Sequence, residues 1–382
     1  MAAGAVVSAN AAEPVDAADV KVGIIYVGDE QEGYTYAHMI GIDEMKEACG
    51  LSDDQVIAKY NIPEDESCYD AAVDLAEQGC QIIFANSFGH EDYMIQAATE
   101  YPDVQFCHAT GYQAASSGLE NMHNFFTSVY ESRYVSGVVA GMKLAEEYGA
   151  DAECKLGYVG AYSYAEVISG YTAFFLGVKS ICPNVTMEVK YTGSWADQAL
   201  EKETAEALIA DGCVLISQHA DTTGAAAGCE PNKVWDVGYN VSMLDAAPNY
   251  ALTSASIKWG PYFTYGVNCI INGETIDTDW CQGYTEGAVY ITELGPNVAE
   301  GTQEKVDETW AAIADGSLHV FDTSTWTVGG ETITTTATDD LADLYHGVEY
   351  ISPDGYFMES ELASAPAFAF IIDGITELNQ VF

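Results

Sequence analysis

The sequence predicts an α/β protein of two related lobes, each a parallel sheet covered by helices. The first observation is the stretch Lys21–Cys49, where a short apolar run, a polar and aromatic turn at 28–36 and an amphipathic helix follow one another. The second is that the same pattern returns at Lys155–Ser180. The third is that two further elements repeat at a nearly constant offset: Leu75–Phe88 with Leu208–Asp221, and Tyr101–Tyr112 with Glu230–Asn240. A repeat of this size indicates duplication of a whole lobe.

Each element is assigned from its apolar pattern, with continuous apolar runs predicting buried strands and amphipathic segments predicting helices. The predicted strands are 22–27, 56–60, 81–85, 105–109, 124–129, 156–160, 186–192, 214–218, 234–239, 252–257 and 288–294. The predicted helices end at Cys49 and Tyr148 or span 63–78, 91–101, 165–180, 199–210, 262–271 and 302–314. The tail 321–382 is rich in Thr, Gly and Asp, with hairpin character at Gly329–Gly330.

The order of these elements predicts three parts. Residues 1–20 are Ala-rich and acidic, and we expect a disordered leader or the remnant of a secretion signal. Lobe one is predicted to contain 21–129 and about 258–286. Lobe two is predicted to contain 130–257 and about 287–382.

Composition excludes several classes of function. The chain of 382 residues carries 12 Lys and Arg against 59 Asp and Glu, a net charge of -47, which repels nucleic acid and anionic membranes. The ten cysteines show no CxxC spacing, which argues against a structural zinc site, although Cys269 and Cys281 could pair after export. Dinucleotide, P-loop, HExxH and GxSxG motifs are absent, so we expect no cofactor, no metal and no enzymatic activity.

The candidate site consists of aromatic and polar residues at the carboxyl ends of the predicted strands, where open α/β sheets bind ligands. The candidates are Asp29, Tyr34, Tyr36, Ser87, Phe88, Gly89, Trp195, Gln218, His219, Asp221, Tyr239, Asn240, Lys258 and Trp259. Aromatic rings beside hydrogen-bonding groups suit a planar heterocycle such as a purine. A packing role is the alternative for Tyr36, Phe88 and Trp195. We expect Arg133 to be structural, at a hinge.

Several segments resemble the basic membrane protein family of ABC-transporter substrate-binding proteins, which bind purine nucleosides or adenine. The matching segments are VGIIYVG, GYTYAHMIGIDE, IIFANSFGHEDYM, YPDVQFCHATGY, ESRYVSGVVAGM, KLGYVGAY, CPNVTMEVKYTGSWAD, ALIADGCVLISQHADT, VGYN and LTSASIKWGPY. They cover roughly Lys21 to Gly316 in order. The resemblance implies a type I periplasmic-binding fold whose two lobes close on a ligand. We expect hinges near Ser128, Leu252 and Gly287.

The resemblance also implies roles for individual residues and a partner. Tyr34 would stack on the base, and Lys258 would hold the ribose of a nucleoside. Asn240 replaces the Asp expected for ribose binding, which leaves a free base as a plausible ligand. We expect an extracytoplasmic monomer that passes its ligand to an ABC transporter permease, with a lipid anchor in the full-length precursor. Ligand sensing on the same fold, or binding of a sugar or another small polar solute, remains the alternative.

Overall fold

A computed structural model describes residues 13–337 and 347–382 of the chain. Its strands and helices alternate over most of this length. The strands are β1 Val22–Ile25, β2 Val56–Lys59, β3 Ile82–Ala85, β4 Gln105–Ala109, β5 Met122–Thr127, β6 Lys155–Gly160, β7 Thr186–Tyr191, β8 Leu215–Gln218, β9 Trp235–Tyr239, β10 Ala251–Ile257, β11 Asp279–Gln282, β12 Val289–Ile291 and β13 Ile375–Glu377. The helices are α1 Gly33–Cys49, α2 Glu66–Glu77, α3 Glu91–Glu100, α4 Ala114–Ser117, α5 Val129–Tyr148, α6 Ala165–Lys179, α7 Gln198–Ala210, α8 Gly224–Asn232, α9 Gly260–Asn272 and α10 Thr302–Ala314.

The strands form two sheets that share one topology. The first has the order β11-β5-β4-β3-β1-β2 and the second the order β12-β10-β9-β8-β6-β7-β13. Strands β1 to β5 pair in parallel, as do β6 to β10, whereas β12 pairs antiparallel with β10. The repeat predicted from the sequence is therefore confirmed, because each matched pair of segments occupies the same position in its own sheet.

Burial explains why the central strands are apolar throughout. All four residues of β1 and all four of β3 are buried, and so are all seven of β10. A parallel sheet is covered on both faces, so its strands lack the polar alternation of a strand with one wet face. The apolar runs in the sequence are the direct result of this environment.

Internal contacts divide the described chain into two units. The first contains residues 13–30, His38–Phe126 and Trp259–Trp280. The second contains Gln31–Ala37, Thr127–Lys258 and the described part of Cys281–Phe382. The short segment Gln31–Ala37 thus groups with the second unit, although the sequence around it was assigned to lobe one.

The two ends of the chain extend these units. Residues 1–12 of the predicted leader lie outside the described residues. Within the rest of that leader, Val20 is fully buried and the side-chain amide of Gln55 donates to the carbonyls of Ala17 and Val20 at 2.8 and 2.7 Å. In the tail, Val328 and Glu331 exchange backbone hydrogen bonds around two glycines of positive φ, which confirms the predicted hairpin.

Some local predictions were wrong. Helix α1 begins at Gly33, so the turn predicted to reach Tyr36 is shorter, because the Glu32 carboxylate accepts hydrogen bonds from the backbone N–H groups of Tyr34 and Thr35 and caps the helix. Helix α8 was missed because its Gly- and Ala-rich sequence has no amphipathic pattern. The described residues contain no disulfide bond between Cys269 and Cys281.

The helices of the described chain include none with the length and apolar character needed to cross a bilayer.

Candidate functional site

The strand order of the second unit creates a crevice where a ligand can bind. In its sheet β6 lies between β7 and β8, so the chain leaves the neighbouring strands β6 and β8 toward opposite sides of the sheet. Such a switch point opens a crevice at the carboxyl ends of the two strands. The loop after β8 carries His219 and Asp221, and the loop after β9 carries Asn240. These three side chains are buried, and they form the centre of a polar cluster.

Asp221 and Asn240 bind each other at this position. The Asn240 Nδ2 donates to Asp221 Oδ1 at 2.8 Å, and the Asp221 backbone N–H donates to the Trp195 carbonyl at 2.8 Å. Burial raises the pKa of Asp221 well above its usual range, and the nearby carboxylates of Glu32, Glu201 and Glu166 raise it further. This environment favours the neutral form of the Asp221 carboxyl group more than water does.

Tyr34 joins this cluster through the start of α1. The Gly33 N–H donates to the Asp221 carbonyl at 2.8 Å, and a Cβ at Gly33 would lie 2.9 Å from that same oxygen. Only glycine fits there, which fixes the next residue against the loop. Tyr34 is buried, and burial together with the charges of Glu166, Tyr239 and Asp221 raises its pKa well above the usual value.

Arg133 supplies the positive charge of the cluster. It lies in α5 with 1% of its surface exposed, and its Nη1 donates to the Gln218 carbonyl at 2.6 Å. Its guanidinium carbon sits 3.5 Å from the centroid of the Tyr239 ring, a cation–π contact in a dry environment. Its Nε and Nη2 have no hydrogen-bond partner within the described residues. The sequence alone had indicated a structural residue at a hinge.

His219 and Glu166 form a hydrogen-bonded pair. His219 Nε2 lies 3.3 Å from Glu166 Oε1. Burial and the charge of Arg133 lower the pKa of His219 well below its usual value, whereas burial raises the pKa of Glu166 to about 7 against the opposing effect of Arg133. Because the imidazole is neutral at pH 7, the contact is a hydrogen bond and not an ion pair. Glu166 was missed in the sequence, where it stands only as an acidic residue in a first helical turn.

Unsatisfied polar atoms distinguish this cluster. Within the described residues, atoms without a hydrogen-bond partner occur on five of its buried side chains: Arg133 Nε and Nη2, Gln218 Oε1, His219 Nδ1, Tyr239 Oη and Asn240 Oδ1. An unsatisfied buried polar group costs about 1–3 kcal/mol. Such a concentration at a switch point is typical of a site whose hydrogen bonds are completed by a ligand.

Two other candidates of the second unit support its loops. Gln218 uses its amide N–H groups on the carbonyls of Ala220 and Thr222, at 2.6 and 2.8 Å, and so holds the loop after β8. Trp195 packs with Tyr162 and Tyr164, with ring centroids 5.1 and 6.1 Å away. We call Tyr162, Tyr164 and Trp195 the aromatic trio.

The candidates of the first unit contact other residues of that unit. Ser87 Oγ and the Gly89 N–H both donate to Glu64 Oε1, at 2.7 and 2.8 Å. The Phe88 ring stacks 6.4 Å from that of Tyr112, and Asp29 accepts a hydrogen bond from Asn61 at 3.2 Å.

The remaining candidates lie outside both clusters. Trp259 is 1% exposed and stacks on His38 at 3.8 Å in the aromatic core of the first unit. Lys258 is exposed, with its Nζ 5.5 Å from the Tyr290 ring centroid. Tyr36 is 44% exposed. Ligand contacts by these three residues stay predictions from the sequence.

The described residues contain no group of three or more His, Cys, Asp or Glu side chains arranged to hold a metal ion.

Comparison with known proteins identifies relatives of the whole two-lobed part of the chain. Residues 20–322 match the model of the Bmp family, described as ABC transporter substrate-binding protein, PnrA-like. A purine-binding protein of Brucella abortus (strain 2308) is 32% identical over 322 residues, which are 82% of this chain and 88% of the relative. A Haloferax volcanii protein, named as an ABC transporter glucose-binding protein, is 28% identical over 83% of this chain and 78% of its own.

A solved structure supports the fold. The solute-binding protein of an ABC transporter system from Conexibacter woesei superposes with a TM-score of 0.61 at 21% identity. The match covers 78% of this chain and 98% of that protein. The predicted periplasmic-binding fold is thereby confirmed.

Proposed function

The chain belongs to the Bmp family of PnrA-like ABC transporter substrate-binding proteins, and on that premise we propose that it binds a purine base. Members of this family are solute-binding proteins and not enzymes. The observation that carries the proposal is the set of unsatisfied buried polar atoms around Tyr239, Arg133 and His219. A purine offers ring nitrogens and exocyclic groups in one plane, which can complete several of these hydrogen bonds while the ring contacts aromatic side chains. The Brucella relative, named a purine-binding protein, supports the same ligand class.

The site favours a free base over a nucleoside. In the family pattern a carboxylate and a lysine hold the ribose, and here those positions are Asn240 and Lys258. The Asn240 amide already donates to Asp221, and Lys258 is exposed beside Tyr290. An amide lacks the charge that lets a carboxylate accept two strong hydrogen bonds from a diol.

A sugar is the second candidate ligand. The Haloferax relative is named as glucose-binding, and sugars also stack on aromatic rings. The aromatic trio could stack on a pyranose ring as on a purine, and the hydrogen-bonding groups of the second unit could bind sugar hydroxyls.

We propose that the protein delivers its ligand to an ABC transporter permease, as its family of substrate-binding proteins suggests. Substrate-binding proteins of ABC importers act outside the cytoplasm. We further propose a monomer at the cell surface or in the periplasm, held by a lipid anchor of the precursor. Closure of the two lobes on the ligand stays a prediction, and a decrease in the radius of gyration on ligand addition would test it.

The first experiment is a thermal-shift screen followed by calorimetry. Adenine, guanine, hypoxanthine, their nucleosides and glucose are added separately, because a ligand that binds only the folded state raises the melting temperature. Mass spectrometry of the denatured protein first checks for a copurified ligand. We expect a shift with at least one purine base and a smaller one with its nucleoside.

A variant pair assigns the binding to the cluster. Tyr239→Phe removes one unsatisfied hydroxyl from the cluster, and Tyr69→Phe removes a hydroxyl that binds Glu100 in the first unit. Purine affinity should fall only in Tyr239→Phe. A shift with glucose alone would overturn the purine proposal and leave the family assignment unchanged.

A further inference from the structure

The family match ends at residue 322, yet the chain continues for sixty residues, of which the described ones, 323–337 and 347–382, belong to the second unit. We propose that the described part of this C-terminal segment, residues 323–337 and 347–382, positions the loops and helix that surround the candidate site, and so sets ligand affinity. The inference rests on the proposed function for its binding readout. Its structural readout is independent of any ligand.

The segment first extends the sheet of the second unit. Strand β13 pairs in parallel with β7, with Ile375 opposite Met187 and Glu377 opposite Val189. Backbone hydrogen bonds from Met187 N to Gly374 O and from Leu378 N to Val189 O, both 2.8 Å, flank this pairing. The edge strand of the sheet is therefore covered by the chain's own C-terminus.

Beyond β13 the contacts continue to the end of β7, where the loop with Trp195 begins. The Asn379 side chain binds the backbone of Tyr191 twice, accepting from its N–H at 2.8 Å and donating to its carbonyl at 2.9 Å. Glu377 accepts hydrogen bonds from the hydroxyls of Tyr191 and Tyr171. The Asn379 side chain thus forms the pair of backbone hydrogen bonds that a neighbouring strand would otherwise form with Tyr191, the last residue of β7.

The final residues reach the loop that carries Tyr162 and Tyr164. The Ser163 N–H donates to the Val381 carbonyl at 2.7 Å, and the Val381 N–H donates to Ser163 Oγ at 2.9 Å. In the adjacent loop, a Cβ at Gly193 would lie 3.3 Å from Val381 Cγ1, and the Gly193 N–H donates to the Ala161 carbonyl at 2.9 Å. Val381 thus lies against both loops of the aromatic trio.

The segment also holds helix α6, which carries Glu166. Glu359 is 2% exposed and accepts hydrogen bonds from the Ser169 hydroxyl and from the backbone N–H groups of Ala367 and Phe368, the latter two at 2.9 Å. Ser169 precedes Gly170, where a Cβ would lie 2.8 Å from His219 Nδ1. One turn of α6 is therefore fixed by the C-terminal segment beside its contact with the cluster.

These contacts matter for binding because a loop that is ordered in advance loses less entropy when a ligand arrives. The loops 161–164 and 192–195 have no regular secondary structure of their own. The C-terminal segment forms hydrogen bonds with Ser163 in the first loop and with Tyr191, which directly precedes the second. Removing those groups should leave the fold intact while loosening the loops.

The test is a chain that ends at Asn379. It loses both Val381 hydrogen bonds and keeps β13, Glu377 and Asn379. The matched control is Asp373→Ala, which removes hydrogen bonds from Thr327, Gly329 and Gly330 within the segment and leaves Ser163 untouched. Amide hydrogen exchange of both proteins without ligand is measured first, and affinity for the tightest-binding purine base second.

We expect exchange of the Ser163 amide to accelerate by about tenfold or more in the shortened chain, since its acceptor is gone. Purine affinity should fall about threefold to tenfold, as expected for the loss of two hydrogen bonds that hold a binding loop. Asp373→Ala should change neither quantity.

Unchanged exchange in 161–164 would overturn the inference whether or not a purine binds. Faster exchange with unchanged affinity for a purine that does bind would also overturn it. Failure of every purine to bind would refute the proposed function alone, and the exchange result would still decide whether the segment positions the loops.

Discussion

The same position in the two sheets carries two different polar clusters. In the first unit, the Glu91 carboxylate accepts hydrogen bonds from Asn124 Nδ2 and the Gln113 N–H, both at 2.8 Å, and from Gln113 Nε2 at 3.2 Å. In the second unit, Arg133, Gln218, His219, Tyr239 and Asn240 each retain a polar atom without a partner in the described residues. The two sheets therefore share one topology but differ in their polar groups. The cluster of the first unit forms its hydrogen bonds internally, whereas the cluster of the second unit leaves polar atoms for a ligand.

Within the described residues, the first unit also has buried polar atoms without hydrogen-bond partners, but they are less costly than those of the second unit. His90 Nδ1 and His108 Nδ1 also lack hydrogen-bond partners in the described chain, as do the hydroxyl oxygens of Thr110 and Tyr262. Burial lowers the pKa of His90 to about 4 and lowers that of His108, so both rings are neutral at pH 7. A neutral ring nitrogen without a partner costs far less than a charged guanidinium in the same state.

The largest effect should come from breaking the cluster of the first unit. Glu91→Ala removes the acceptor for three hydrogen bonds and leaves the buried Asn124 amide and the half-buried Gln113 backbone N–H without that partner, so we expect a loss of roughly 4 kcal/mol in unfolding free energy. Purine affinity of the folded protein should stay within about twofold. Urea unfolding and calorimetry measure the two quantities, with Glu91→Gln as the conservative control. A large loss of affinity at full folding would place Glu91 in the binding site.

Breaking the cluster of the second unit should lower purine affinity and leave the protein folded. Arg133→Ala removes the buried charge that contacts Tyr239 and offers two N–H groups, so purine affinity should fall by about 100-fold, or about 2.7 kcal/mol. Arg133→Lys keeps the charge without the planar fork and should recover only part of the affinity. Circular dichroism controls for folding. Full affinity in a folded Arg133→Ala protein would return Arg133 to the structural role expected from the sequence.

The fold was predictable because the strands are read from local apolar runs. Each of the strands β1 to β10 overlaps a strand predicted from the sequence. The repeat of Leu75–Phe88 in Leu208–Asp221 predicted that the two sheets share one topology. The tail was not predictable in the same way. Strand β13 has three residues, and its pairing with β7 joins segments far apart in the sequence, for which no local signal exists.

The candidate site was predictable only in part. His219, Asp221 and Asn240 follow strands directly, so their clustering follows from parallel pairing. Arg133 lies inside a helix, and only long-range packing brings it to Tyr239. Glu166 is one of 59 acidic residues, a number so large that no single carboxylate stands out before its burial is known.

The two units should also respond differently to pH. Carboxyl groups with raised pKa values in the described residues belong to the second unit, among them Asp236 at about 8 and Glu201 at about 7. Such groups bind more protons when folded than when unfolded, so stability falls as pH rises from near 4 through the folded pKa. We expect a lower melting temperature for the second unit at pH 8 than at pH 5.

Asp236→Asn isolates this effect. Asp236 is fully buried and neither of its carboxyl oxygens has a partner in the described residues, so the charged form is costly. The advantage of the variant over the parent should be roughly 3 kcal/mol larger at pH 8 than at pH 5. Thermal unfolding across this range measures the gain, with the exposed Asp245→Asn as control. A gain that does not depend on pH would show that packing, and not ionisation, is responsible.

The smallest effect is expected at Lys258, and it decides between base and nucleoside. The family pattern gives this lysine to the ribose, whereas here its ammonium group is exposed above Tyr290. An exposed ammonium contributes little to a buried contact, so Lys258→Ala should change affinity for a purine base by less than about twofold. Calorimetry with a base and its nucleoside side by side measures this, and Lys233→Ala serves as an exposed control. A loss of tenfold or more for the nucleoside alone would show that Lys258 reaches the sugar, and the preference for a free base inferred from Asn240 would then be wrong.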